Sequence, residues 1–224
     1  MVRKSKEVIS SYGLTLLHVL WSYMSYGLKM KEYTLSGRQA NLYGLLFIIP
    51  VLLVDTVPYL LIWCERGRGW TEGWLSLIHR NMPIIQQVVD APLWLLLVPM
   101  AFVAGIVLHV LMHGIVMAAF AKNGWKSVSF GFNVQAFAPY THCNEPLSPN
   151  AYRLTLVMPG ILLGDVPVLI SWFTGNILFL FFGILFTLCA AGNIIIVWLS
   201  RNITDGKLQD HPEKIGFVHV EKDE

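Results

Sequence analysis

The stretch Leu108–Met117, LHVLMHGIVM, sets two histidines, His109 and His113, four residues apart inside a long apolar run. On a helix that spacing places both imidazoles on one face, where they can aim at a single metal ion. In zinc hydrolases with this spacing a glutamate directly follows the first histidine. Here that position is Val110. Taken alone, the pair fits a membrane zinc site that lacks its base. It fits equally well two histidines that hydrogen-bond to neighbouring helices.

The surrounding composition supplies the setting. The 224 residues are 55% hydrophobic and 13% charged, with a mean hydropathy of +0.57. That is too apolar and too charge-poor for an ordinary soluble domain. A helix needs roughly 20 apolar residues to cross about 30 Å of hydrocarbon, and four runs meet the requirement: 42–63, 92–120, 154–173 and 177–199. Thr174-Gly175-Asn176 joins the last two as a tight antiparallel pair.

Residues 8–28 are interrupted by Ser, Tyr and His. They read as an amphipathic helix at the membrane surface, with a fifth span as the alternative. Between the second and third runs, residues 127–138, SVSFGFNVQAFA, alternate as a short β-hairpin, and Pro139, Pro146 and Pro149 then impose an irregular loop. The expected class is an all-α membrane protein of about four transmembrane helices with this insertion. Its expected divisions are an N-terminal region 1–40, a four-span domain 41–200 and a tail 201–224.

Thirteen of the 16 Lys and Arg residues fall in 1–41, in the segment joining the second and third runs, and in the tail, leaving Arg66, Arg68 and Arg80 on the other side. The positive-inside bias therefore predicts cytoplasmic termini. It also accounts for the net charge of +2, so no nucleic-acid partner is expected. Cys64, Cys143 and Cys189 form no C-x-x-C pair, which argues against a zinc ribbon or a disulfide framework. The basic start leads into a polar-interrupted segment without a small-residue cleavage site, so no cleaved signal is expected.

Ionisable groups inside hydrocarbon are costly and mark candidate sites. They are Asp55 in the first run, His109 and His113 in the second and Asp165 in the third; Asn193 in the fourth joins them as a polar group. At about 1.5 Å per residue from the cytoplasmic ends, His113 and Asn193 lie roughly 10 Å deep, His109 and Asp165 roughly 16 Å, and Asp55 roughly 20 Å. His142, Cys143 and Glu145 sit in the loop at the same face as the histidine pair. Adjacent side chains such as His142 and Cys143 rarely chelate together, so a capping or substrate-contacting loop is the expected role.

Several segments, in this order and at these intervals, resemble the zincin peptidase family of small bacterial membrane proteins. They are LHVLMHGIVMAAF, APYTHCNEPLSPNAYRLTLVMPGILLG, LCAAGNIIIVWL and QDHPEKIGFVHV, with YTLSGRQANLYGLLFIIP upstream. The family is similar in layout to site-2-type intramembrane metalloproteases. The resemblance implies a zinc site with His-Glu-x-x-His on the second span and an acidic third ligand on the last. Carried over, the ligands are His109 and His113, the glutamate falls on Val110, and the acidic ligand falls on Asn193.

Both departures touch the chemistry. A glutamate beside the metal contributes roughly 10²- to 10⁴-fold by moving a proton from the bound water to the leaving amine, and valine cannot. A neutral amide in place of a carboxylate leaves the charge of Zn²⁺ uncompensated where compensation matters most. The reading is thus a catalytically impaired, metallopeptidase-like protein that acts as a binding or regulatory module, with Zn weak or absent. Its partners are membrane lipids and a transmembrane or juxtamembrane segment of another protein. Two alternatives stand beside it: an active zinc peptidase using Asp165 or Glu145 as the missing carboxylate, and a small transporter or ion pathway built on Asp55 and Asp165. Asn193 as a plain interhelical hydrogen bond is a further alternative to metal ligation.

Overall fold

The computed structural model describes residues 28–64, 69–90, 94–133, 138–211 and 214–222. The amphipathic helix expected at 8–28 lies outside these residues except for Leu28. The described chain is mostly helical with two small sheets.

Strand β1 (Leu28–Leu35) leads through Ser36 into helix α1 (Gly37–Trp63). A capping box starts that helix: the Ser36 hydroxyl accepts from the Gln39 N–H at 3.3 Å, and the Gln39 side chain accepts from the Ser36 N–H at 3.0 Å. Helix α2 (Gly69–Asp90) follows, then α3 (Trp94–Phe120). A short 3₁₀ turn (Gly124–Ser127) precedes a hairpin of β2 (Val128–Asn133) and β3 (Ala138–Cys143).

Helix α4 (Pro149–Pro159) begins on the Ser148 cap and continues through a π-helical turn (Gly160–Asp165) into α5 (Val166–Thr174). Gly175, at φ +70°, ends that span in the left-handed conformation suited to glycine. The Asn176 side chain then caps α6 (Ile177–Cys189), which is followed by α7 (Ala191–Ser200). Strands β4 (Lys207–Asp210) and β5 (Ile215–Lys222) complete the described chain.

Among the described residues three helices are long and apolar enough to cross a membrane: Gly37–Trp63, Leu97–Phe120 and the combined span Pro149–Thr174. The α6–α7 pair has the same character but bends by 46° at its break. Small residues lie at that break, and a Cβ on Gly160 of the crossing span would stand 3.0 Å from the Ala190 methyl. Close approach of two backbones, together with the weak constraint of Ala190-Ala191-Gly192, accounts for a bend that an apolar run does not announce.

At one end of the bundle β1, β5 and β4 form an antiparallel sheet in that order, with Leu28 opposite Lys222 and Leu35 opposite Ile215. Its core is continuous with that of the helices. Leu208 and Phe217 are fully buried with Tyr152, Leu147 and Met117, and Tyr33 stacks on Phe217 at 5.1 Å. At the far end Tyr59 donates to the Gly175 carbonyl at 2.7 Å, Asn81 of α2 accepts from the Ile177 N–H at 3.4 Å, and Trp63 donates to the Trp172 carbonyl at 3.1 Å. The Tyr59 and Trp63 bonds tie the end of α1 to the end of α5, and the Asn81 bond ties α2 to the start of α6.

Two features depart from the sequence expectation. Helix α2 holds no unbroken apolar run because Ser76, His79, Arg80, Asn81 and Gln86 interrupt it. The all-α expectation omits the sheet, whose strands lie far apart in the chain and gain their apolar partners only on pairing.

A candidate metal centre filled by an amide

The histidine pair lies on the C-terminal half of α3. The rings of His109 and His113 meet edge to face with centroids 5.1 Å apart, so the i, i+4 spacing does bring them together. The Nδ1 atom of His113 is 2.8 Å from the Thr155 carbonyl on α4. A carbonyl can only accept, so Nδ1 carries the proton and Nε2 is left with a lone pair. That lone pair faces the side-chain amide of Asn193, whose Nδ2 donates to it at 3.2 Å. Asn193 reaches this position because the break at Ala190 starts a new helix and places it in the first turn.

The β-hairpin completes the surroundings. It folds back along α3, with Phe130 packed against Gly114, where an added Cβ would stand 2.5 Å from the ring. The Thr141 hydroxyl donates to the Val110 carbonyl at 2.8 Å. Val110 lies ten residues, about 15 Å, before the end of α3 at Phe120. Strand backbone therefore runs alongside the histidines within the length of a membrane span. Such backbone is tolerated at that depth only where it is buried in protein or lines a wet cavity.

The other candidates lie apart from this centre. Glu145 is bound by three donors: the Lys122 N–H at 2.8 Å, the Ser127 hydroxyl at 2.6 Å and the Asn123 side-chain amide. It closes the turn after α3. The Ser127 hydroxyl holds its carboxyl below the usual range against the opposing effect of burial, with lesser help from the Asn123 and Lys122 donors.

His142 and Cys143 end β3, and the Cys143 carbonyl accepts from Gln209 at 3.3 Å. Burial, the largest effect, pushes the Cys143 thiol up and so makes it a poor nucleophile. Asp165 closes the π-helical turn and is exposed. Asp55 is buried on α1, its Oδ2 without a hydrogen-bond partner among the described residues and within electrostatic reach of Asp165.

Residues 102–206 match the family model described as "Putative zincin peptidase". The match covers just under half of the chain and contains both histidines, the hairpin, the proline-broken span and Asn193. No curated protein and no solved structure matches.

Similarity to that family model suggests zinc, and the residues present do not fit the ion. Among the described residues no three His, Cys, Asp or Glu side chains come together as a metal requires. The third member of the cluster is an amide that donates a hydrogen bond to the lone pair a metal would need. His109 adds a buried Nδ1 without a hydrogen-bond partner among the described residues. Sequence reasoning missed Thr155, which contributes through its backbone, and Thr141, which anchors the hairpin.

Proposed function

We propose that this protein is a non-hydrolysing membrane relative of the zincin peptidases that binds a transmembrane or juxtamembrane segment of another membrane protein. The observation that carries the reading is the Asn193 amide bonded to His113 Nε2, which fills the position of a metal with a neutral interhelical hydrogen bond. Val110 adds that no carboxylate stands where the base belongs. What such a fold retains is a hairpin laid beside a polar cluster at membrane depth, a setting suited to holding a partner segment without cutting it.

The accompanying topology is a four-span protein of a bacterial cell membrane with both ends of the chain cytoplasmic. The pairing of β1 with β5 supports it, because strands on one side of a membrane must be separated by an even number of crossings. With three long spans already present, the bent α6–α7 pair supplies the fourth.

The deciding experiment measures zinc per chain in the purified protein and in a Val110→Glu/Asn193→Asp variant. The expected result is no zinc above the background of a His109→Ala/His113→Ala protein, and a gain toward one zinc in the variant that restores both carboxylates. Near one zinc in the starting protein, lost with the histidines, overturns the reading in favour of an active peptidase.

One observation favours a second reading. A buried carboxylate oxygen on Asp55 without a partner among the described residues, near Asp165, suits an ion pathway through the bundle. Flux in proteoliposomes that disappears in Asp55→Asn and Asp165→Asn proteins supports it, and flux indifferent to both removes it.

A further inference from the structure

Pro159 is fully buried in the third span, the last residue of α4. In a regular helix the N–H of residue 159 would bond to the carbonyl of Thr155, four residues earlier. Proline has no N–H. The next donor does not fill the gap either, since the Gly160 N–H bonds to the Val157 carbonyl. The chain then enters its π-helical turn, where the Val166 N–H reaches back to the Ile161 carbonyl. Thr155 is thus left with a buried carbonyl that its own helix does not use, inside the apolar span, where an unpaired acceptor is costly. The Thr155 hydroxyl cannot serve, because it donates to the Ala151 carbonyl at 3.0 Å. The group that fills the gap comes from another helix: His113 Nδ1, at 2.8 Å.

We infer that Pro159 is a positioning residue that fixes the tautomer and direction of His113 by keeping the Thr155 carbonyl free for its Nδ1–H. The consequence passes through the ring. With the proton committed to Nδ1, Nε2 is always the acceptor and always faces Asn193. The same device would orient a metal-ligating histidine, whose second nitrogen characteristically donates to a carbonyl or carboxylate. The inference deepens the reading above at the same site and rests on it only for the use of Nε2. The tautomer itself does not depend on zinc.

The test is nitrogen-15 NMR of the full chain in lipid nanodiscs with labelled histidine, His113 being assigned from a His113→Gln protein. In the starting protein Nδ1 should carry the protonated, pyrrole-type signal and Nε2 the unprotonated one, as a single form. In Pro159→Ala a helix N–H competes for the Thr155 carbonyl, and the Nε2–H form should appear beside the first. Pro167→Ala, which alters the same broken span beyond the π turn, should leave His113 unchanged.

An Nε2–H form in the starting protein overturns the inference outright, whether or not Pro159→Ala folds. So does a folded Pro159→Ala protein with an unaltered His113. Zinc content settles the function proposed above, and the nitrogen spectrum settles this inference, so one can fail without the other.

Discussion

The Thr141 hydroxyl donates a 2.8 Å hydrogen bond to the carbonyl of Val110, the residue directly after His109. A strand and a helix that carry no shared sequence signal are thereby fastened beside the two histidines. Thr141→Val removes the bond while keeping the shape. It should weaken hairpin docking by about 1 kcal/mol, more if the Val110 carbonyl is left dry. Amide exchange of β2 and β3 should quicken while that of α1 stays constant; unchanged exchange would show that the bond holds nothing.

Gly114 meets Phe130 with no space for a side chain. Gly114→Val forces the ring aside or lifts the hairpin, and overpacking of this kind costs about 1–3 kcal/mol. The companion change Phe130→Ala should recover much of the loss in a double-mutant comparison of thermal midpoints. Additive losses would place Phe130 elsewhere in the membrane.

A Val110→Glu/Asn193→Asp protein that gains zinc offers a second view of Pro159. Losing the partner that orients a metal-bound histidine lowers metal affinity by about 10- to 100-fold. Pro159→Ala in that background should therefore raise the zinc dissociation constant by about that factor, measured by competition with a chelating dye. An unchanged constant would confine Pro159 to shaping the helix.

Two carboxyls outside the spans respond to acid with opposite signs. Glu145, held below the usual range chiefly by the Ser127 hydroxyl, contributes stability above the ordinary carboxylate value, and that stability is lost as pH falls through its folded value. Asp210 is raised chiefly by burial, against the opposing effects of the Tyr152 hydroxyl bond at 2.6 Å and the nearby His142. Its ionisation therefore costs stability as pH rises from the ordinary aspartate value through the higher folded one. Glu145→Gln should flatten the acid loss, and Asp210→Asn should flatten the opposing trend while keeping an acceptor for Tyr152. Thermal midpoints followed from about pH 3 to about pH 7 test both, and parallel curves for all three proteins would remove the two groups as the source.

Much of the membrane part is legible from residues alone, because hydrocarbon imposes one demand, and the runs around Asp55, His113 and Asp165 meet it openly. The pairing of His109 with His113 follows from helical spacing. The alternation at 127–138 holds the hairpin's first strand, but the second, Ala138–Cys143, runs through Pro139 into the stretch expected to be an irregular loop, because its backbone pairs with β2 in spite of the proline. Other features depend on what distant residues do. Leu208 and Phe217 become a core only when β1 lies beside β5. Asn81 reads as an ordinary polar residue until Tyr59 and Ile177 close around it. Thr155 acts through a carbonyl that every residue possesses, and the trace it leaves in the sequence is a proline four positions later.

The opposition of Leu28 and Lys222 in one sheet has a consequence for biogenesis. During synthesis β1 emerges early, yet its partner β5 is made after every membrane helix of the described chain. On the four-span topology proposed above, the strand waits unpaired through insertion and finds its register only if each intervening span has crossed in the proposed direction. A helix threaded the wrong way leaves the two strands on opposite faces of the bilayer, with an open edge that quality-control proteases can recognise. The sheet thus acts as a closing seal on a correctly threaded chain.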